Sequence, residues 1–201
     1  MLNESLTEED PLLSYNGKTF EGGLIAYFAK DVSRVIDFLT TLHTDDSHHL
    51  LASKLNMDKL GAFGVSLGGV IVSEASWRDR RIKASLIMES PIPKKIAQTG
   101  LPIPTMVITR PAEAMRAERK KSGGWTEKDI EQHLNTMRAL FENTTESEFV
   151  QLPDMFHVDF TDVPLWVPFA QQLGLSGRTP IEETHDKLNS LTLKFFEEYL
   201  Q

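Results

Sequence analysis

The sequence predicts an α/β fold, a mostly parallel sheet covered by helices, and three observations carry that reading. Four short apolar runs, residues 59–65, 82–88, 103–109 and 149–152, are bounded by turn formers, as strands buried on both faces are. Helical patterns separate them, and parallel strands require such crossovers. The first run ends in a glycine-rich turn that opens a new apolar helix, Val70-Ile71-Val72.

Taken in order, residues 1–23 are polar and turn-rich, with Asn16-Gly17 and Gly22-Gly23, and read as a lead-in loop. From Leu24 the apolar residues Ile25, Phe28, Ala29, Val32, Val35, Ile36, Leu39 and Leu42 recur at helical spacing and predict an amphipathic helix with that stripe inward. The strand at 59–65 is followed by a helix over 68–77. Thr126, with Asp129 three residues on, marks a further helix start, and Thr179-Pro180 with Glu182 marks another as a capping box with proline at the first helical position. The last helix carries Leu188, Leu191, Phe195 and Tyr199 inward. The charged run 116–121 reads as a solvated surface segment. At 201 residues the chain, 1–201, fits one domain.

Composition excludes several classes. Acids outnumber bases, 29 to 21, so the surface is ill suited to a nucleic-acid partner, which needs excess positive charge. No window approaches the roughly 20 apolar residues of a membrane span. The opening residues Met1-Leu2-Asn3-Glu4-Ser5 lack the basic and apolar regions of an export signal, which leaves the compartment open with the cytoplasm as default. With zero cysteines there are no disulfides and no thiolate nucleophile or metal site. Asp45, Asp46, His48 and His49 crowd a polar loop and read as a solvated turn, so no metal or other cofactor is expected.

Gly64-Val65-Ser66-Leu67-Gly68-Gly69 matches G-x-S-x-G. A sharp strand-to-helix turn there lifts a serine hydroxyl above the sheet, and side chains two residues before and after the serine are expected to clash. The pattern alone is weak; the strand before it and the helix after it make it a nucleophile elbow in the α/β-hydrolase fold. The elbow also supplies the backbone N–H of Leu67 as an oxyanion donor. A serine needs a base, and His157 lies in the loop after the last strand, whereas His133 reads as mid-helix, His185 as part of the last helix, and His43, His48 and His49 precede the serine. For the acid that orients the imidazole, Glu113 after the third strand and Glu89 after the second compete. Asp159 and Asp162 lie so near His157 that they read as loop-fixing groups.

The residues around Ser66, Glu89 and His157 resemble the platelet-activating-factor-acetylhydrolase type of esterase, a relative of dienelactone hydrolases. Arg80-Arg81-Ile82-Lys83-Ala84 through Met88-Glu89 resembles that family's strand ending in the acid, and His157-Val158-Asp159-Phe160-Thr161-Asp162 resembles its histidine followed by a Phe-Ser/Thr-Asp turn. The resemblance runs from about Asn16 to the end of the chain and selects Glu89 as the acid. Two residues depart: the family usually has Asp at position 89 and often His or Tyr at position 65, where this chain has Val.

The resemblance implies an acyl-ester hydrolase with Ser66 as nucleophile, Glu89 and His157 as its partners, and lipid-like or short-chain esters as small-molecule substrates. Phe156, Phe160 and Trp166, with Met155 and Phe169, are candidates for an acyl pocket. Only about 60 residues precede Ser66, and they read as one loop and one helix, so the fold's first strands and the loop bearing its second oxyanion donor are not found. An open sheet edge then favours a homo-oligomer. The alternative is a non-catalytic binding module that keeps the hydrolase scaffold.

Overall fold

A computed structural model describes residues 24–45, 50–167 and 169–201. Its elements are α1 (Ile25–Thr44), β1 (Leu60–Val65), α2 (Leu67–Arg78), β2 (Ile82–Met88), α3 (Lys94–Thr99), β3 (Thr105–Thr109), α4 (Ala112–Ser122), α5 (Glu127–Asn143), β4 (Ser147–Gln151), a 3-10 turn (His157–Phe160), α6 (Val163–Trp166) and α7 (Ile181–Tyr199). The four strands pair in parallel in the order β1-β2-β3-β4, so every strand ends at the same edge of the sheet. The α/β reading holds.

Burial explains the layers. On one face Ala84, Leu86, Met88, Met106 and Ile108 pack against Leu188 and Phe195 of α7. On the other, Ile87 and Val107 meet Ile96 of α3 and Met137 and Leu140 of α5. Between β1 and β2 the register jumps from Leu60↔Ile82 to Gly61↔Ala84, which leaves Lys83 as an extra residue. One extra residue reverses the alternation. Ile82 therefore joins Ala29, Ile36 and Ala75 under α1, while Ala84 faces α7.

Several sequence expectations need correction. The strand expected over 103–109 starts at Thr105, because Pro102 and Pro104 have no N–H to give to a ladder. At α7, Pro180 takes the N-cap position and no side chain caps the helix; the Thr179 carbonyl is held by the Gln171 amide at 3.1 Å. In α1 the stripe is narrower than expected. The helix packs against α2, buries Ile25, Ala29 and Ile36, and leaves Val35 57% exposed. The helix start expected at Thr126 is present and is itself a capping box, with Thr126 Oγ1 accepting from the Asp129 N–H at 3.2 Å and Asp129 returning an acceptor at 2.8 Å.

Among the described residues β1 pairs with β2 alone, and Phe63 at this edge is 60% exposed. No helix of the described residues is long and apolar enough to cross a membrane. The lead-in segment 1–23 and three of the four loop residues Asp45, Asp46, His48 and His49, namely Asp46, His48 and His49, lie outside the described residues.

Candidate active site

Ser66 stands between β1 and α2 as the helix N-cap, at φ 55° and ψ −123°, in the left-handed half of backbone space where a side chain is strained. Its N–H donates to the Met88 carbonyl at 3.0 Å, the last bond of the β1–β2 ladder, while its own carbonyl accepts from Gly69 and Val70 and starts the helix. Opposite ends of one residue are thus tied to a strand and to a helix, which forces the turn. Ser66 is half-buried, and among the described residues its hydroxyl has no hydrogen-bond partner. Leu67, the first helical residue, is 53% exposed, and its N–H precedes the first intrahelical bonds and has no acceptor in the helix.

The glycines divide differently from the expected pattern. A Cβ at Gly64 would lie 2.4 Å from the Gly68 backbone, and one at Gly69 would lie 2.6 Å from Ser90 Cβ, but one at Gly68 meets nothing within 4 Å. The crowding comes from α2 folding back on the strand end, so it falls on residues 64 and 69. Gly64→Ala should therefore destabilise the fold by about 3 kcal/mol, while Gly68→Ala should stay within about 0.5 kcal/mol of the parent. Urea denaturation of the two variants checks this contrast.

Glu89 follows β2, also at positive φ (49°), and its side chain is wholly buried. Oε1 accepts from Thr109 Oγ1 at 3.2 Å and faces His133 Nε2 at 2.9 Å. Oε2 makes an ion pair with Arg110 Nε at 2.7 Å, the N–H lying off the contact axis. Arg110 is itself wholly buried and its Nη1 reaches Glu118 Oε2. Burial alone pushes the Glu89 carboxyl up, but the His133 hydrogen bond, followed by the charges of His133, Arg110 and His157, outweighs it and holds the group below the ordinary carboxylate value. Glu89 is an anion at neutral pH.

His157 opens the 3-10 turn after β4. Asp159 fixes this loop: it is buried and accepts from the N–H groups of Phe156 at 2.7 Å and Gly177 at 2.8 Å and from Ser176 Oγ at 2.5 Å. The loop-fixing role expected of Asp159 is what its contacts describe; Asp162 is 68% exposed. The His157 backbone N–H donates to Glu118 Oε1 at 3.2 Å, and its buried Nδ1 has no partner. Desolvation lowers the ring's pKa, and the charges of Arg110 and His133 add to this while Glu89 and Glu118 oppose it. Trp125 packs edge-on to His133 with centroids 4.7 Å apart and lies 5.8 Å from the His157 ring.

Sequence reasoning thus brought Ser66, Glu89 and His157 to the same edge of the sheet, and it missed the partners of Glu89. The imidazole hydrogen-bonded to Glu89 is that of His133, not that of His157, whose link to Glu89 is electrostatic. The competing acid, Glu113, is 80% exposed and faces solvent from α4. The run 116–121 is only partly solvated, since Glu118 turns inward to Arg110 while Arg116 and Arg119 pair with Glu127.

Of the pocket candidates, Phe156 lines a pocket of about 300 Å³ with Pro111, Ala114, Ala117 and Pro153, and the Lys121 ammonium lies 5.3 Å from its ring. Phe160 and Met155 pack in the core against Met106, Ile108 and Phe195, because the Asp159 contacts draw the turn inward. Trp166 and Phe169 stand 75% and 73% exposed. Among the described residues no three His, Asp or Glu side chains converge in a metal-holding group.

No protein-family model matches the chain, and no curated protein matches it. A solved structure does: a ferulic acid esterase from Streptomyces cinnamoneus superposes with a TM-score of 0.66 at 20% sequence identity over 90% of this chain and 49% of that one. The chain spans about half the length of the esterase it matches. At this identity the likeness concerns the backbone. The chain has the α/β-hydrolase-type fold, a parallel four-stranded sheet flanked by helices.

Proposed function

We propose that this chain is a serine carboxylic-ester hydrolase of lipid-like or short-chain acyl esters, with Ser66 as nucleophile, His157 as base and Glu89 as the acid. The observation that carries the reading is the strained Ser66 backbone at the start of α2, a cost of order 1–3 kcal/mol that a plain strand-to-helix turn has no reason to bear. The fold shared with a ferulic acid esterase supports ester chemistry. The resemblance around Ser66, Glu89 and His157 supports the acyl esters.

In this mechanism His157 takes the Ser66 proton as Oγ bonds to the ester carbonyl carbon. The carbonyl oxygen becomes an anion facing the Leu67 N–H at the positive end of α2. Collapse breaks the bond to the alcohol, which leaves with the proton from His157. Water, deprotonated by the same ring, then attacks the acyl-enzyme, and its collapse releases the acid and returns the proton to Ser66. Glu89 stays ionised and stabilises the imidazolium electrostatically.

The test is covalent labelling by a fluorophosphonate as a function of pH. Because burial lowers the His157 pKa, the neutral ring persists below its ordinary midpoint of about 6.5, so labelling should rise with pH through a lower midpoint and be flat at neutrality. His157→Ala should label at least roughly 100-fold more slowly. Equal labelling of the two proteins would remove His157 from the mechanism.

One observation favours a second reading, a scaffold that binds without turnover: the Glu89 carboxylate is hydrogen-bonded to His133 and leaves His157 Nδ1 unpartnered. On that reading the folded chain takes no label at any pH.

A further inference from the structure

A guanidinium with no exposed surface is tolerated only when its charge is matched, and Arg110 is matched twice. It follows β3 directly, between Glu89 at the end of β2 and Glu118 on α4. Glu118 divides its two oxygens: Oε2 meets Arg110, and Oε1 accepts the backbone N–H of His157 at 3.2 Å. Glu89 in turn holds His133 of α5. A continuous line of contacts therefore runs from α5 through two strand ends to α4 and on to the loop carrying His157. A carboxylate serving only to neutralise Arg110 has no need to hold that loop as well.

We propose that Arg110 and Glu118 are positioning residues for His157: Arg110 joins the two carboxylates into one ionised unit, and Glu118 anchors the His157 backbone to it. This rests on the reading of His157 as the base. The charged and titratable groups acting on the ring come from four elements, Glu89 after β2, Arg110 after β3, Glu118 on α4 and His133 on α5. The two anions favour the imidazolium and the other two groups oppose it. Removing the Glu118 charge leaves Arg110 less balanced and makes the imidazolium harder to form.

The experiment is proton NMR titration of the His157 ring, assigned by the signal lost in His157→Ala, in the wild-type chain, Glu118→Gln and Glu131→Gln. The amide keeps the volume of Glu118 and an oxygen for the His157 N–H, so the fold is retained while the charge is lost; Glu131 is an exposed carboxylate on α5 outside the network. Glu118→Gln should move the His157 midpoint to lower pH by on the order of one unit, and the acid limb of fluorophosphonate labelling should move with it. Glu131→Gln should leave both in place. A midpoint unmoved in Glu118→Gln, or moved equally in Glu131→Gln, would overturn the proposal. The titration reads the network whether or not Ser66 reacts: a wild-type chain that takes no label defeats the esterase reading, and the NMR shift then still decides the positioning role.

Discussion

Arg110→Met should lower the stability of the fold by about 3–5 kcal/mol, because removing one partner of a buried ion pair strands the other. Two partners are stranded here. Glu89 has no exposed surface and Glu118 has 16%, so neither regains full hydration. For a domain of this size the melting temperature should fall by roughly 10 °C. The loss should also depend on pH. The folded-state pKa of Glu89 lies below its unfolded value, so its stabilising contribution is present above the ordinary carboxylate range of about 4.3 and is lost as pH falls through the lower folded value. Without Arg110 that pKa rises, and a protonated Glu89 no longer needs a cation. The difference between wild type and variant, measured by denaturant unfolding, should therefore be widest near neutrality and narrow toward about pH 4. A constant difference would mean that Arg110 acts by packing alone.

Ser66 separates strain from chemistry. Ser66→Ala keeps a Cβ at φ 55° and should leave stability within about 0.5 kcal/mol of the parent, while ester turnover falls roughly a thousandfold or more. Ser66→Gly loses turnover equally but relieves the backbone and should be more stable by about 1 kcal/mol. Thermal melts and p-nitrophenyl ester turnover of both variants read the two effects independently. A glycine variant less stable than the alanine variant would show that the Ser66 conformation is not strained.

Much of this was legible in the sequence where local pattern and tertiary need coincide. The strand over 82–88 was read with its observed bounds, because six of its seven residues are buried and turn formers bracket it. The helix start at Thr126 was legible because capping is local chemistry. The strand-to-helix turn at Ser66 was legible because the residue lies between an apolar strand and an apolar helix. The partners of Glu89 were not. His133 sits among Ile130, Met137 and Leu140 on the buried face of α5, where a histidine resembles any mid-helix polar residue until the carboxylate across from it is known. Arg110-Pro111 directly after the buried run 105–109 was the available signal, since an arginine at the end of a parallel strand faces the edge where such folds bind ligands. Glu118 was hidden inside a charged run whose Lys120 and Lys121 do face water. Which residue of such a run turns inward is decided by the strand ends beneath it.

An activated Ser66 should react with a fluorophosphonate in the folded chain at neutral pH, and mass spectrometry identifies the modified residue. The expected result is a single adduct on Ser66, absent from Ser66→Ala. A folded chain that takes no label, or an adduct on any other serine, would contradict it.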